Sequence, residues 1–71
     1  MTDAVTVNVN GETHALGGGA ATLDGLVDLL GHERRGLAIA VNGEVVPRSM
    51  WTQQLLADGD QVEILTIAQG G

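Results

Sequence analysis

The tetrapeptide Val-Asn-Gly-Glu occurs twice in this chain, at residues 9–12 and again at residues 41–44. Asn-Gly tolerates the positive φ angles of a type I′ turn, whose twist matches that of two paired antiparallel strands. Each copy follows an alternating run, "VTVNV" in the first case and "LAIAV" in the second, and such alternation is typical of a strand with one buried face. The sequence therefore predicts two β-hairpins, over residues 5–16 and 37–46, that use the same turn without forming a repeat architecture.

Between the two hairpins the sequence predicts one amphipathic helix. Aliphatic residues recur at the spacing i, i+3, i+4 and i+7 and so share one helix face; they are Leu23, Leu26, Val27 and Leu30. Thr22 is a favourable N-cap residue, because its hydroxyl accepts a hydrogen bond from a backbone N–H of the first turn. Asp24 places a negative charge where the helix dipole favours it. Gly31 is the expected C-terminal stop.

The segment after the second hairpin is short and mixed in composition. Pro47 is expected either to end the fourth strand or to restrict that strand to the edge of the sheet, because proline has no N–H to donate within a sheet. Ser49 is predicted to cap a helical turn that brings Trp51 and Leu55 together. Trp51 is the only aromatic residue of the chain, and we interpret it as a core anchor. Arg48 has two open interpretations, an ion pair with a neighbouring acidic residue or a contact with a partner.

A final strand is predicted over residues 61–67, after a turn at residues 58–60. Alternation along this strand places Val62 and Ile64 on one face, toward the core. The opposite face, away from the core, then carries Glu63, Leu65 and Ile67.

The predicted order of elements is strand, strand, helix, strand, strand, short helical turn and strand. One helix is able to cover one face of a mixed sheet of four to five strands, so the expected fold class is α+β with two layers. The first and last strands are expected to lie side by side and parallel, because the chain between them supplies the crossover. We expect one domain over residues 1–67 and a flexible C-terminal tail over residues 68–71.

Charge and composition restrict the classes of partner. Nine acidic residues against three basic ones give a formal net charge of −6, the wrong sign for a protein that binds a phosphate backbone, so no nucleic acid partner is expected. The charge either favours a protein partner with a positively charged docking surface or serves solubility alone. The chain contains no cysteine, which fits a reducing compartment. No stretch reads as a secretory signal or a membrane span, so we expect a cytoplasmic protein.

No catalytic centre is evident within the predicted domain. Ser49 is the only serine, and His14 and His32 lack a third ligand at a spacing typical of zinc sites. Asp58 and Asp60 flank a glycine, but the later glycine and the terminal glutamate of a calcium loop are missing. We therefore predict no metal site, no cofactor bound by the chain itself and no enzymatic activity.

The sequence ends on two glycines, Gly70 and Gly71. Glycine loses more conformational entropy on ordering than any other residue, so it is poorly suited to holding a terminus in place. From the residues alone, two interpretations stay open. The pair is either a frayed end without consequence, or a narrow, flexible carboxylate that projects from the sheet and is itself the working part.

Four stretches, which together span nearly the whole chain, are "VNGE" at the start, "ATLDGLVDLLG", "AIAVNGEVVPRSMW" and "DGDQVEILTIAQGG". In combination they resemble the ThiS-type sulfur carriers of thiamin biosynthesis, within the ubiquitin-like β-grasp group. The resemblance implies that a ThiF-type adenylating enzyme uses ATP and magnesium to convert the carboxylate of Gly71 into an acyl-adenylate. A sulfur donor such as a cysteine desulfurase then supplies sulfur for a C-terminal thiocarboxylate, which thiazole synthase uses. Ala68, Gln69 and Gly70 would carry the terminus into the active site of each partner.

Four residues are predicted to form a partner-docking patch: Leu65, Ile67, Ala38 and Ala40. Leu65 and Ile67 face away from the core on the last strand, and the two alanines lie nearby on the neighbouring strand. The alternative is that these residues pack beneath a loop.

Other functions with the same fold stay open. A molybdopterin-synthase small subunit has the same thiocarboxylate end, but chains of that type tend to carry prolines and aromatic residues before the final glycines, which "ILTIAQGG" lacks. Carriers for cysteine synthesis or transfer-RNA thiolation rank behind it. A protein modifier of the ubiquitin kind would not form chains through its own lysines, because the sequence has none. A plain binding module with an inert tail is the last alternative.

Overall fold

The computed structural model describes residues 5–17, 21–31, 33 and 35–66. The elements, in chain order, are β1 (Val5–Val9), β2 (Glu12–Leu16), α1 (Leu23–Leu30), β3 (Leu37–Val41), β4 (Glu44–Val45), a 3₁₀ turn (Arg48–Met50) and β5 (Gln61–Thr66). This is the order that the sequence predicts. Ile67, the expected last residue of the final strand, lies outside the described residues, as does the predicted tail over residues 68–71.

Both Asn-Gly turns have the predicted backbone conformation. Asn10 and Gly11 have φ angles of 51° and 89°. The corresponding angles of Asn42 and Gly43 are 52° and 85°. Positive φ at both central residues is what a type I′ turn requires. The two hairpins are confirmed, since β1 pairs with β2 and β3 pairs with β4, in both cases antiparallel.

The described strands form one five-stranded mixed sheet in the order β2-β1-β5-β3-β4. β5 lies at the centre, parallel to β1 and antiparallel to β3. The predicted parallel pairing of the first and last strands is therefore confirmed. The register with β1 ends at Val62, whereas the register with β3 continues to Thr66. β5 thus continues beyond its pairing with β1, and its residues after Val62 pair with β3 among the described strands.

The sheet and α1 enclose an aliphatic core on one side of the sheet, termed the inner face. Alternate residues of β1, β3 and β5 point into this core, which also receives one side of α1. The buried hydrophobic residues are Val7, Val9, Leu16, Leu23, Leu26, Val27, Ile39, Val41, Val46, Trp51, Leu56, Val62 and Ile64. The predicted fold class, with one main helix covering one face of the sheet, is confirmed for the described part of the chain.

Trp51 is the core anchor that the sequence predicts. Its side chain is 2% exposed, and its Nε1–H donates a hydrogen bond to the carbonyl oxygen of Val46 at 2.9 Å. A buried N–H without a partner costs about 1–3 kcal/mol, so this bond allows a single indole ring to lie within an otherwise aliphatic core.

The ends of α1 are also as predicted. The Thr22 hydroxyl accepts a hydrogen bond from the backbone N–H of Gly25 at 3.0 Å, and Gly31 ends the helix with a left-handed φ of 75°. A Cβ atom at Gly25 would lie 3.2 Å from the Thr22 hydroxyl oxygen. Glycine inside this helix therefore leaves room for the N-cap.

The prediction for the segment after Pro47 is wrong in two respects. Ser49 does not cap the 3₁₀ turn, which begins after Pro47 without a side-chain cap. Leu55 does not join Trp51 in the core, because it is 65% exposed, whereas Leu56 is 6% exposed. The reason is backbone pairing with the two residues that precede α1: Leu55 forms an antiparallel bridge with Thr22, and the N–H of Leu56 donates to the carbonyl oxygen of Ala21 at 2.8 Å. This extended contact turns successive side chains to opposite sides.

Candidate functional site

The side of the sheet opposite α1, termed the outer face, brings three of the predicted docking residues together. Ala38 on β3 pairs with Leu65 on β5, and Ala40 pairs with Glu63. On its other side, Ala40 pairs with Val45 of β4. These residues line a shallow depression, termed the outer patch: Ala38, Ala40, Val45, Glu63 and Leu65.

The outer patch is largely apolar and open to solvent. Leu65 is 66% exposed and Val45 is 75% exposed. Ala38 and Ala40 are half-buried, and their small side chains leave the depression between the larger ones. At this exposure, Leu65 is not packed beneath a loop of the described residues. A docking role for the patch stays a prediction.

Glu63 places a carboxylate inside this apolar surface. Its side chain is exposed, and no ion pair joins it to another residue in the described ranges. A carboxylate that loses its water without gaining a partner costs on the order of several kcal/mol. A protein that covers the outer patch therefore has to bring a cationic or hydrogen-bonding group to Glu63.

The remaining predicted site residues follow β5 and lie outside the described residues: Ile67, Ala68, Gln69, Gly70 and Gly71. Their roles stay predictions. The structure does show where the chain reaches this segment, because Thr66 pairs with Leu37 at the end of β5. Thr66, the last described residue, therefore directly follows Leu65 of the outer patch.

Asn10 and Asn42 contact β5 as well as forming the two tight turns. Asn10 Oδ1 accepts a hydrogen bond from the N–H of Ile64 at 2.9 Å, and its Nδ2 donates to the Ile64 carbonyl oxygen at 3.0 Å. Asn42 Oδ1 accepts from the N–H of Gln61 at 2.9 Å. Its Nδ2 donates to Asp60 Oδ1 at 2.9 Å. The two carboxamides hold β5 from opposite sides, one toward its end and one at its start.

Sequence reasoning assigned both asparagines to turns alone and missed these contacts. Asparagine, aspartate and glycine all suit the first central position of a type I′ turn, so the use of asparagine in both copies was the available signal. Asn10 and Ile64 are 54 positions apart. No local pattern shows which strand a turn side chain meets at that separation.

Asp58 and Asp60 serve the turn before β5, as the sequence predicts. Asp58 Oδ1 accepts a hydrogen bond from the N–H of Thr6 at 2.7 Å. Asp60 Oδ2 accepts one from the N–H of Ala57 at 2.8 Å. Gly59 between them has a φ of 90°. Within the described residues, no group of three or more His, Asp or Glu side chains is placed to hold a metal ion.

The other candidate side chains show no catalytic arrangement among the described residues. His14 Nε2 lies 3.7 Å from Glu12 Oε1 on β2, and Ser49 is exposed in the 3₁₀ turn. Arg48 is exposed and forms no ion pair with another described residue, and both of its interpretations stay predictions. His32 lies outside the described residues. No helix in the described ranges is long and apolar enough to cross a membrane.

Sequence comparison relates the chain to proteins of one pathway. The sequence model of the ThiS family matches residues 4–71. The sulfur carrier protein ThiS of Escherichia coli (strain K12) is 36% identical over 50 residues, which cover 70% of this chain and 76% of that protein. A thiazole synthase of Paramagnetospirillum magneticum (strain ATCC 700264 / AMB-1) is 35% identical over 63 residues. That match covers 89% of this chain but 19% of the relative, so it concerns one segment of a much longer protein.

Solved structures agree with the sequence comparison. The crystal structure of a thiamine biosynthesis protein (ThiS) from Geobacter metallireducens aligns with a TM-score of 0.79 and 28% identity, over 94% of this chain and 100% of that chain. An NMR solution structure of a thiamine biosynthesis protein from the same organism aligns with a TM-score of 0.75 and 28% identity, over 94% and 88% of the two chains. The predicted ubiquitin-like β-grasp fold is therefore confirmed.

Proposed function

The chain belongs to the ThiS family of sulfur carriers in thiamin biosynthesis, and we propose that the carboxylate of Gly71 is the group that carries the sulfur. The observation that carries this proposal is the family match over residues 4–71, which includes both final glycines. In this proposal the chain is a protein co-substrate and not an enzyme. ATP and magnesium are used by a partner, and the chain itself binds no cofactor.

The proposed chemistry starts from an unreactive group. A carboxylate is ionised near neutral pH and is a poor electrophile, so it needs a better leaving group before sulfur attacks. A carboxylate oxygen of Gly71 attacks the α-phosphorus of ATP, which releases pyrophosphate and forms an acyl-adenylate. A sulfur nucleophile from the donor then displaces AMP at the carbonyl carbon. Where the donor presents its sulfur as a persulfide, the first product is an acyl disulfide, and the attack of a thiol on the donor's sulfur then releases the C-terminal thiocarboxylate and leaves a disulfide.

Glycine at the last two positions suits this chemistry. The reacting carbonyl has to pass through a narrow channel into the active site of another protein. A Cβ atom at Gly70 or Gly71 would make the tail wider and would restrict its φ and ψ angles. Ordering a glycine tail on docking lowers affinity. That cost is acceptable where one terminus has to fit the active sites of several enzymes and then leave them.

The outer patch is the proposed docking surface for these enzymes. Leu65 supplies an exposed apolar side chain at its edge, one residue before the end of β5. Docking next to the tail holds the terminus near the reacting groups and so lowers the entropic barrier of the reaction. The net charge of −6 and the carboxylate of Glu63, which forms no ion pair with any other described residue, favour a partner whose docking surface is basic, since complementary charge speeds encounter and selects partners.

Three partners follow from the proposal: a ThiF-type adenylating enzyme, a sulfur donor such as a cysteine desulfurase, and thiazole synthase. The match to one segment of a Paramagnetospirillum magneticum thiazole synthase supports the last of them, because a sequence of this kind and that enzyme then share one chain. The proposal places the reactions in the cytoplasm, where ATP is available.

The decisive experiment is an intact-mass measurement. The full chain is incubated with ATP, magnesium, a ThiF-type adenylating enzyme and a sulfur donor, and we expect a mass gain equal to the difference between one sulfur and one oxygen atom. Two matched controls, a chain that ends at Gly70 and a chain whose Gly71 carboxylate is an amide, are expected to show no gain. The thiolated chain, unlike the unmodified one, should then lose its sulfur to thiazole synthase.

Each other outcome has a definite meaning. An unchanged mass with an active adenylating enzyme would show an inert tail and would overturn the proposal. Covalent attachment to other proteins would identify a protein modifier. A thiocarboxylate that thiazole synthase ignores would point to another thiocarboxylate carrier, such as a molybdopterin-synthase small subunit.

A further inference from the structure

The end of β5 is held by different groups on its two sides. On the β3 side, backbone pairing continues to the last strand residue, where Leu37 lies opposite Thr66. On the β1 side, the register stops with Val9 opposite Val62, because β1 gives way to its turn. Without another contact, the backbone groups of Ile64 that face this side would have no partner.

The carboxamide of Asn10 supplies that contact. The backbone N–H of Asn10 donates to the Val62 carbonyl oxygen at 3.0 Å. If the parallel ladder continued, the N–H of Ile64 would donate to the carbonyl of residue 10, and the Ile64 carbonyl would accept from the N–H of residue 12. The Oδ1 and Nδ2 atoms of Asn10 make these two bonds instead, at 2.9 and 3.0 Å. One side chain thus replaces the missing continuation of β1.

We infer that Asn10 is a positioning residue, whose carboxamide sets the direction in which β5 leaves the sheet and so aims the C-terminal segment at the active site of the partner. This inference rests on the proposed role of Gly71. The two bonds are partly buried and reach the donor and the acceptor of one residue, so they restrain both the position and the rotation of the strand. Ile64 lies directly before Leu65 of the outer patch, so docking and aiming begin from adjacent residues.

Asn42 provides a matched control within the same molecule. It occupies the same turn position with a φ of 52°, against 51° for Asn10, and it also makes two side-chain hydrogen bonds. Its bonds go to Gln61 and Asp60 at the start of β5. There the backbone N–H of Asn8 also donates to the Asp60 carbonyl oxygen at 2.9 Å. Loss of the Asn42 carboxamide loosens the start of β5 and leaves its end held.

The test compares Asn10→Gly with Asn42→Gly in the full chain. Each variant removes one carboxamide and keeps a residue that accepts positive φ, so the turns are retained and the loss of backbone restraint is equal. A misplacement of about 1 Å at a reacting group costs up to about 100-fold in rate. We therefore expect Asn10→Gly to lower kcat for adenylation by a ThiF-type enzyme about 10-fold, with KM within about 2-fold because the outer patch is intact. Asn42→Gly should leave both constants within about 2-fold.

Asn10→Asp adds a graded variant. It keeps an acceptor for the Ile64 N–H but places a second oxygen against the Ile64 carbonyl, so one bond is retained and one is lost. Its kcat should lie between those of the original chain and Asn10→Gly. If Asn10→Gly does not fold, Asn10→Asp takes its place in the comparison with Asn42→Gly.

Amide hydrogen exchange and backbone order parameters test the same inference without any partner. Asn10→Gly should speed exchange at the Ile64 N–H and lower the order of Thr66. Asn42→Gly should speed exchange at the Gln61 N–H and leave Thr66 unchanged. Equal kcat values for the two glycine variants, or equal order at Thr66, would overturn the inference. If the original chain itself is not adenylated, the proposed function fails, whereas the exchange measurement still decides whether Asn10 directs the end of β5.

Discussion

On β5, Ile64 and Leu65 are neighbours along the chain, yet Ile64 is 5% exposed on the inner face and Leu65 is 66% exposed on the outer face. The same alternation holds on β3, where Ile39 is buried between the half-buried Ala38 and Ala40. Large aliphatic side chains gather beneath α1, and the other face keeps small side chains around a few exposed larger ones. The difference shows how one strand packs against the core and also presents apolar side chains to solvent, because successive residues point to opposite faces.

Substitutions on the two faces should differ in how much they lower the free energy of unfolding. A domain of this size without disulfides has only about 3–5 kcal/mol of stability. Removing a buried aliphatic side chain costs about 2–5 kcal/mol, so a single inner-face change approaches the whole stability of the domain. Outer-face changes should leave stability almost untouched and act on the partners.

The largest expected effect is on the inner face. Ile64→Ala should lower the free energy of unfolding by about 2–4 kcal/mol, because it leaves a cavity beneath α1. Its backbone bonds to Asn10 remain available. Urea denaturation followed by Trp51 fluorescence measures the change, with Leu65→Ala as the matched control at the adjacent position, expected within about 0.5 kcal/mol of the original chain. Equal losses for the two variants would erase the distinction between the faces.

The next effect concerns the outer face. Leu65→Glu should reduce kcat/KM for adenylation by the partner about 10- to 30-fold, since it places a charge in the apolar part of the docking surface. Its free energy of unfolding should stay within about 0.5 kcal/mol of the original value. Steady-state kinetics with a ThiF-type enzyme checks the first expectation and urea denaturation the second. Unchanged kinetics would show that the outer patch does not dock.

A smaller effect is expected from a conservative change of Trp51 in the core. Trp51→Phe removes the hydrogen bond to Val46 and leaves a buried carbonyl unsatisfied, at a cost of about 1–2 kcal/mol. Thermal unfolding followed by circular dichroism measures it, because the variant lacks the fluorescent ring. Adenylation at a temperature where the variant is folded should be unaffected. A loss of adenylation by the folded variant would contradict the assignment of Trp51 to the core alone.

The smallest effect is expected at the helix N-cap. Thr22→Ala should cost about 1 kcal/mol, because the Gly25 N–H loses its acceptor, and should lower Tm by about 4–8 °C. Thr22→Ser keeps a hydroxyl and is the matched control. If Thr22→Ala impaired adenylation of the folded chain, α1 would contribute to docking as well as to stability, and the division between the faces would need revision.

Much of the fold was predictable because its signals are local. The two Asn-Gly turns, the helix with its caps and the alternation of β5 each depend on residues within a few positions of one another. The exposed position of Leu65 followed from the same alternation. The segment after Pro47 was predicted less well, since the choice between Leu55 and Leu56 depends on pairing with Ala21, which lies more than thirty positions earlier.

By itself, the sequence determined the secondary structure, the two-layer fold class and the pair of terminal glycines on which the proposed chemistry depends. Only the tertiary structure decided that β5 continues beyond its pairing with β1. It also decided that the carboxamide of the turn residue Asn10 makes the two hydrogen bonds to the backbone of Ile64. The physical reason is range: turn and helix preferences act between neighbours, whereas hydrogen bonds across 54 positions exist only after the strands have assembled.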